Sequence, residues 1–173
     1  MPDRAQPPYR VEALGKSHDR GGFTCGSEAL DRYLHQQARQ DADKRVAASF
    51  VLVEPPSNRV LGYYTLSASV IHANDLPEEL SRKLPRYPQL PVTLLGRLAV
   101  DTTVKGRRIG QFLLMDALWR SLDAAAQIAA MAVVVDAKDK AAEAFYAQFG
   151  FTPLQQRPAR MSLPMKTVAS LFP

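Results

Sequence analysis

Cysteine is nearly absent: Cys25 is the single one among 173 residues. No internal disulfide can form, and Cys25 reads as a small core residue. The three histidines, His18, His35 and His72, are scattered, so no zinc-type spacing occurs and no metal site is read. No apolar run approaches the roughly 20 residues of a membrane helix. The opening stretch, MPDRAQPPYR, holds no apolar segment after its charges, so it does not read as a secretory signal. Repeats and low-complexity tracts are missing too. What remains is an ordinary globular composition, 46% apolar, of a length that suits one domain with a full core. The natural setting of such a chain is the cytoplasm, and residues 1–8 read as a loose lead-in to a single domain over residues 1–173.

Acids are scarce in one region. The formal net charge is +5 for the whole chain, yet Leu80 to Arg120 alone carries a net of +6. Eight cations stand there (Arg82, Lys83, Arg86, Arg97, Lys105, Arg107, Arg108 and Arg120) against Asp101 and Asp116. From Phe151 onward Arg157, Arg160 and Lys166 follow with no acid. Such a belt is either a solvated face or the footprint of an anion larger than one phosphate, with nucleic acid among the candidates.

Hydrophobic patterning predicts a mixed α/β chain. In FTCGSEALDRYLHQQARQ, Ser27 is a good N-cap, and Leu30, Tyr33, Leu34 and Ala38 share one helix face. SFVLVEP and RVLGYYTLSASVI read as two strands joined by a PPSN turn. A Pro-containing connection follows, with a short helix expected near Leu76. VTLLGRLAV is a strand too apolar for an edge. A helix is predicted over Ile109–Ala125, then the buried strand MAVVVDA. The helix DKAAEAFYAQFG closes at Gly150, and RMSLPM ends the chain as a strand. The predicted order α-β-β-β-α-β-α-β gives one mixed central sheet flanked by helices.

VKGRRIGQFLL, residues 104 to 114, concentrates two glycines and three cations where a strand hands over to a helix. A helix start offers free N–H groups and the positive end of its dipole, a ready site for an anion if the backbone can come close. Gly106 and Gly110 permit that approach; alternatively Gly106 only makes a turn and Gly110 only allows close helix packing. Two common phosphate loops do not fit. LGKS at Leu14 to Ser17 lacks the earlier glycine of a P-loop, since Arg10 stands there, and no GxGxxG spacing occurs at residues 104 to 114.

LGRLAVDTTVKGRRIGQFLL resembles motif A of the GNAT superfamily of N-acetyltransferases: a strand, then Q/R-x-x-G-x-G/A, then a helix. Lys105 takes the Q/R place, Arg108 the first glycine and Gly110 the second. AAEAFYAQFGF is similar to that superfamily's A-x-x-x-Y-x-x-x-G-F element, in the right order after one helix and one strand. The resemblance implies acetyl-CoA as co-substrate. Its pyrophosphate would lie on the loop of Lys105, Gly106, Arg107, Arg108, Ile109 and Gly110. Its pantetheine arm would pair with the backbone of Leu98, Ala99 and Val100, and Phe145 would add a contact. Arg108 departs from the pattern by placing a side chain where relatives have none, and Asp139 stands where many have Asn.

The resemblance extends to FTCGSEALDRYLHQQARQ, LGYYTLS, LGRLAVD and RMSLPM. Over most of residues 23 to 172 the chain looks like the GNAT-type toxins of bacterial toxin–antitoxin pairs. That implies acetylation of the free α-amine of aminoacyl-tRNA, a block of translation and a ribbon-helix-helix antitoxin as partner, with homodimerisation left open. Tyr146 matches the superfamily tyrosine that acts as general acid; by itself it would also suit a core position. Its phenol, with a reference value of about 10, is protonated at neutral pH. No Glu or His presents itself as a base, which suits an α-amine titrating near about 8 and lowered further by its ester. Arg82, Lys83, Arg86, Arg97, Arg157 and Arg160 are the candidates for tRNA phosphates, Arg97 being equally suited to a structural role inside its strand. Two other readings stay open: a metabolic or protein N-acetyltransferase acting on a small amine or peptide, and a non-catalytic acetyl-CoA sensor, against which Tyr146 speaks.

Overall fold

The structure, a computed structural model, describes residues 8–173. Apart from Pro8, the lead-in expected at the N-terminus lies outside the described residues. Strand β1 (Arg10–Ala13) comes first. A continuous helical stretch follows: α1 (Glu28–Arg32), a π-helical turn (Tyr33–Gln37) and α2 (Ala38–Asp43). Then come β2 (Ala48–Val53), β3 (Gly62–His72), a short α3 (Glu78–Ser81) and β4 (Gln89–Val100). Helix α4 (Ile109–Ala125), β5 (Ala132–Asp136), α5 (Lys140–Ala147), β6 (Thr152–Pro153), β7 (Arg160–Pro164) and α6 (Met165–Ser170) complete the chain.

The seven strands are ordered β1-β2-β3-β4-β5-β7-β6. β1 pairs antiparallel with β2, β4 parallel with β5, and β7 antiparallel with both β5 and β6. A parallel pair needs a long crossover, and α4 supplies it between β4 and β5. The expected mixed sheet and the α4 limits therefore hold, and β4 is internal as its apolar run requires.

Four features exceed the sequence reading. β1 is a half-exposed four-residue strand and β6 has only two residues, both too short for a periodic signal. The RMSLPM strand stops at Pro164, and Met165 opens α6 without a side-chain cap. The π turn interrupts what reads as one regular helix, with the Ala38 N–H reaching the Tyr33 carbonyl five residues back.

The chain groups into two compact units. One comprises residues up to Thr65 with Arg97–Asp116, the other Leu66–Gly96 with Ala117–Pro173. The first is packed around Phe23, Tyr33, Leu34, Val51, Val60 and Tyr63. Phe23 meets Tyr63 edge-on at 5.6 Å, and Tyr33 stacks on Tyr63 at 6.4 Å. Ser27 caps α1 as read from the sequence, its Oγ accepting the Leu30 N–H. The second unit is packed around Ile71, Leu90, Val92, Val134 and Leu154.

Two features of the first unit fix where α4 begins. Gly62 allows a close approach: a Cβ there would stand 2.8 Å from Leu113 Cδ1 and 3.2 Å from the Ala99 carbonyl oxygen. Asp101, fully buried just after β4, gathers the neighbouring backbone. Its carboxylate accepts the N–H groups of Thr24 (3.0 Å) and Thr103 (2.9 Å) and the Thr103 hydroxyl (2.7 Å), with Arg59 Nη2 at 3.6 Å. Thr102 N–H in turn donates to the Thr24 carbonyl at 2.8 Å. Burial alone would raise the Asp101 carboxyl. The hydrogen bonds from Thr103 and Thr24 and the charge of Arg59 outweigh it and hold the group below the usual aspartate value.

Asp101→Ala should therefore cost about 2 kcal/mol, because the backbone N–H groups of Thr24 and Thr103 lose their acceptor. Since the folded carboxyl titrates below the unfolded one, its stabilisation is present at neutral pH and is lost as pH falls below about 4. Urea unfolding of wild type and Asp101→Ala at pH 7 and pH 3 checks this: the gap between them should narrow in acid.

Candidate active site

The loop between β4 and α4 belongs wholly to the first unit. Leu98 and Val100 are half-buried and Ala99 is buried, so this end of β4 is set firmly into the fold. A 3-10 turn over Thr102–Val104, capped by Asp101, drops Val104 into the core and turns the chain outward. Lys105, Gly106, Arg107 and Arg108 are then exposed, and Ile109 returns to the core. Gly106 has φ +83 and open space around its α-carbon, so backbone conformation and not crowding calls for glycine. Lys105 extends over Gly26, its Nζ 3.5 Å from where a Cβ of Gly26 would stand. Arg107 is fully exposed and hydrogen-bonds the Tyr9 side chain, which raises it above the usual arginine value.

Arg108 explains its own departure from the GNAT pattern. Its φ is +58, in the left-handed region, and its carbonyl accepts the Phe112 N–H at 3.1 Å. It is the residue from which α4 springs, and its backbone has the conformation for which glycine is usual. The first amides of this 17-residue helix lack intrahelical acceptors, and its positive dipole end faces the same place. Three exposed cations surround that start. The chemistry matches a pyrophosphate: backbone donors, a dipole and flexible positive charge, with the buried Asp101 carboxylate neutralised by its own partners.

The remaining candidates of the second unit sit on and around α5 and in the connections. Asp139 is the N-cap of α5, accepting the Ala142 N–H at 2.8 Å. Asp and Asn cap about equally well, so the exchange from the common Asn keeps the helix start intact. Tyr146 is 8% exposed, its ring edge-on to Phe145 at 5.2 Å and Phe151 at 5.5 Å. Burial pushes its phenol up to about 12. The hydroxyl makes no hydrogen bond among the described residues. It is a protonated donor with no acceptor among the described residues. Phe145 is half-buried and packs on Phe149 as well.

The basic belt divides. Arg82 is paired with Glu78 at 2.8 Å one turn back on α3. Arg160 makes a two-pronged pair with Asp136, its cross-strand neighbour, at 2.8 and 3.0 Å. Arg97 lies over the Tyr33 ring, 3.5 Å from its centroid. Lys83, Arg86 and Arg157 are exposed. Charge counting did not distinguish these groups, and it did not single out Asp101 or the Tyr33–Arg97 pair. A hint of the latter was present, since Arg97 interrupts an apolar strand and must find a partner there. Among the described residues no group of three or more His, Cys, Asp or Glu is placed to hold a metal ion, and no helix is long and apolar enough to cross a membrane.

Arg108→Gly should raise stability by about 1 kcal/mol, because a non-glycine residue in the left-handed region is strained by that order. It should also weaken acetyl-CoA binding, since the loop then carries one cation fewer. Thermal unfolding and calorimetry measure the two effects separately.

Comparison with known proteins identifies the family of the chain. Residues 23–151 match the model of the acetyltransferase (GNAT) family. The tRNA-acetylating toxin of Mycobacterium tuberculosis (strain ATCC 25618 / H37Rv) is 36% identical over 160 residues, covering 92% of this chain and 93% of that one. The structure of AtaT complexed with acetyl-methionyl-tRNAfMet superposes with a TM-score of 0.89 at 29% identity, over 95% of this chain and 99% of that chain. A mutant AtaT toxin bound to the C-terminus of the antitoxin AtaR and acetyl-CoA superposes with a TM-score of 0.80 at 26% identity, over 95% and 97%. With a family match across the β4–α4 loop and α5, the chain belongs to the acetyltransferase (GNAT) family.

Proposed function

We propose that this protein transfers the acetyl group of acetyl-CoA to the α-amine of aminoacyl-tRNA and thereby blocks translation, as the toxin of a toxin–antitoxin pair. The observation that carries the acyl-transfer half is the α4 start, where Gly106 and Arg108 adopt positive φ amid three exposed cations. The substrate half is supported by 36% identity, over nine-tenths of both chains, to a toxin named for acetylating tRNA. The whole chain, residues 1–173, serves as one catalytic domain acting in the cytoplasm, where charged tRNA is found.

Acetyl-CoA supplies an activated acetyl thioester. The loop from Lys105 to Gly110 holds its pyrophosphate, the backbone of Leu98, Ala99 and Val100 pairs with its pantetheine arm, and Phe145 adds apolar contact. Tyr146, protonated throughout the physiological range, donates to the departing sulfur. The amine needs no dedicated base, because an α-amine lowered by its neighbouring ester has a substantial neutral fraction near pH 7, and the proton it sheds as the amide bond forms passes to solvent. Lys83, Arg86 and Arg157 are the cations best disposed to meet tRNA phosphates, since Arg82 and Arg160 already have acid partners. A small antitoxin of the ribbon-helix-helix type is the partner. Sedimentation of the toxin alone reads whether it also pairs with itself as a homodimer.

Incubation with labelled acetyl-CoA and charged total tRNA should place label on the amino acid, released when the ester is hydrolysed. Tyr146→Phe should keep acetyl-CoA affinity but lose roughly 10²–10⁴-fold in turnover. Wild-type turnover in that variant would reduce Tyr146 to a core residue. Replacing Lys83, Arg86 and Arg157 by Ala should flatten the salt dependence of tRNA binding, by roughly one unit of slope for each phosphate that is no longer neutralised. Efficient labelling of free amines or peptides without tRNA binding would establish the metabolic reading instead.

A further inference from the structure

Folding alone does not account for the end of α2. The helix closes with two reversed hydrogen bonds: the Arg45 N–H donates to the Ala42 carbonyl at 3.1 Å, and the Val46 N–H reaches back to the Asp41 carbonyl at 2.9 Å. This closure needs a left-handed residue at its hinge, where glycine is usual. Arg45 occupies the hinge with φ +59. The residue after the hinge is commonly apolar and packs back on the last turn, but here that turn offers Asp41 and Gln40, and Val46 stays 62% exposed. A strained cation and an uncovered apolar side chain stand side by side.

Among the described residues two that are not glycine have a positive φ, and both are arginines: Arg108 and Arg45. At Arg108 the strain keeps a cation beside the anion site at the α4 start. Arg45 makes the same trade elsewhere. The helix dipole does not call for it, since Lys44 already sets a cation at this end, and glycine would close the helix without strain. Lys44 and Arg45 are both exposed, and Arg45 forms no ion pair among the described residues. Of the neighbouring acids, Asp41 is engaged by Tyr33 and Gln37 at 2.8 Å each, and Asp43 is exposed.

The anion that Arg45 suits is not the one at the α4 start. The Leu52 carbonyl accepts the Leu61 N–H at 2.8 Å, and the Leu61 carbonyl accepts the Asp101 N–H at 2.9 Å, so the Leu52 end of β2 adjoins that loop. Arg45 precedes the opposite end of β2. From Ala48 to Leu52 the strand runs roughly 13 Å, at about 3.3 Å per residue. All these residues belong to the first unit. A phosphate at Arg45 therefore comes from a second anion, and the large anion of the reaction proposed above is the RNA.

We propose that the end of α2 is a contact for the sugar–phosphate backbone of the charged tRNA, with Arg45 on a phosphate and Val46 against the adjoining ribose. The proposal rests on aminoacyl-tRNA being the acceptor. Backbone contacts carry no sequence information, so this one serves charged tRNAs as a class and fixes how the RNA lies on the protein.

Binding of charged total tRNA, measured without acetyl-CoA over a range of salt, tests it. Arg45→Gly should weaken binding roughly 2–5-fold near 0.1 M salt, the worth of an exposed ion pair. It should flatten the salt slope by roughly one unit, for one phosphate no longer neutralised. Arg45→Lys keeps the charge and should keep the slope. The Tm of Arg45→Gly should rise by about 2–4 °C as the hinge strain is relieved, so its weaker binding is not a folding defect. Acetylation of an amino acid methyl ester, which carries no phosphate, should keep the wild-type kcat/KM in both variants. An unchanged slope in Arg45→Gly overturns the proposal, as does a slope lost equally in Arg45→Lys or a lower Tm in Arg45→Gly, which would make Arg45 a structural cap. In each of those cases the wild type still acetylates charged tRNA, and the aminoacyl-tRNA reading stands. A wild type that neither binds nor acetylates charged tRNA overturns both.

Discussion

A carboxylate with no solvent exposure organises the site. A charge in that position would be costly unless every lone pair found a donor, so Asp101 can persist only with the neighbouring backbone gathered around it. Thr24 and Thr103 give up their N–H groups to it, and Arg59 offsets its charge. The outcome reaches beyond Asp101 itself. The Thr24 end of the loop before α1 is tied to the turn that leads from β4 to α4, and Thr102 adds a backbone bond to the same joint. Gly62 then lets Leu113 of α4 sit against β3. A helix start that is to bind an anion must not shift, and these restraints hold it from two sides.

Arg108 shows a trade between strain and charge on that platform. The loop geometry demands a left-handed residue at the point where α4 begins, and glycine would meet the demand without strain. An arginine there accepts a cost of the order of 1 kcal/mol in exchange for a third exposed cation beside the dipole. Marginal stability makes that cost noticeable, but the Asp101 and Gly62 restraints over-determine the turn. Strain held in place by surrounding structure is a common condition at binding sites, and here it sits on the residue that breaks the GNAT pattern.

Much of the fold was legible because its signals are local and repeated. The alternation and apolar runs of β2 to β5, the Ser27 cap and the α4 limits each follow from periodicity or cap chemistry. β1, β6 and α6 were not, since strands of four and two residues and a six-residue uncapped helix are decided by tertiary pairing. The β4–α4 loop was legible as a candidate site because glycines and cations at a helix start carry their own chemistry. The basic belt was only half legible. Counting charges cannot show that Arg160 faces Asp136 across two strands or that Arg97 lies on Tyr33, because both pairings depend on register and packing.

Tyr146 joins the core reading and the catalytic reading of a buried tyrosine. Its ring is packed edge-on by Phe145 and Phe151, as any core aromatic would be. That same packing withdraws water from the phenol and pushes it up to about 12, so the proton is retained far above neutrality. A hydroxyl bound to an internal acceptor would be occupied; this one has no partner among the described residues. The ring contributes apolar burial to folding, and the oxygen remains available as a hydrogen-bond donor whose proton is firmly held. A thiolate, whose conjugate thiol titrates near about 8.5, is a weaker base than the Tyr146 phenolate, so under the proposed reaction the hydroxyl serves it as a hydrogen-bond donor as charge develops on sulfur. Packing around the ring thus keeps the phenol protonated, the state in which the proposed acetyl transfer would use it.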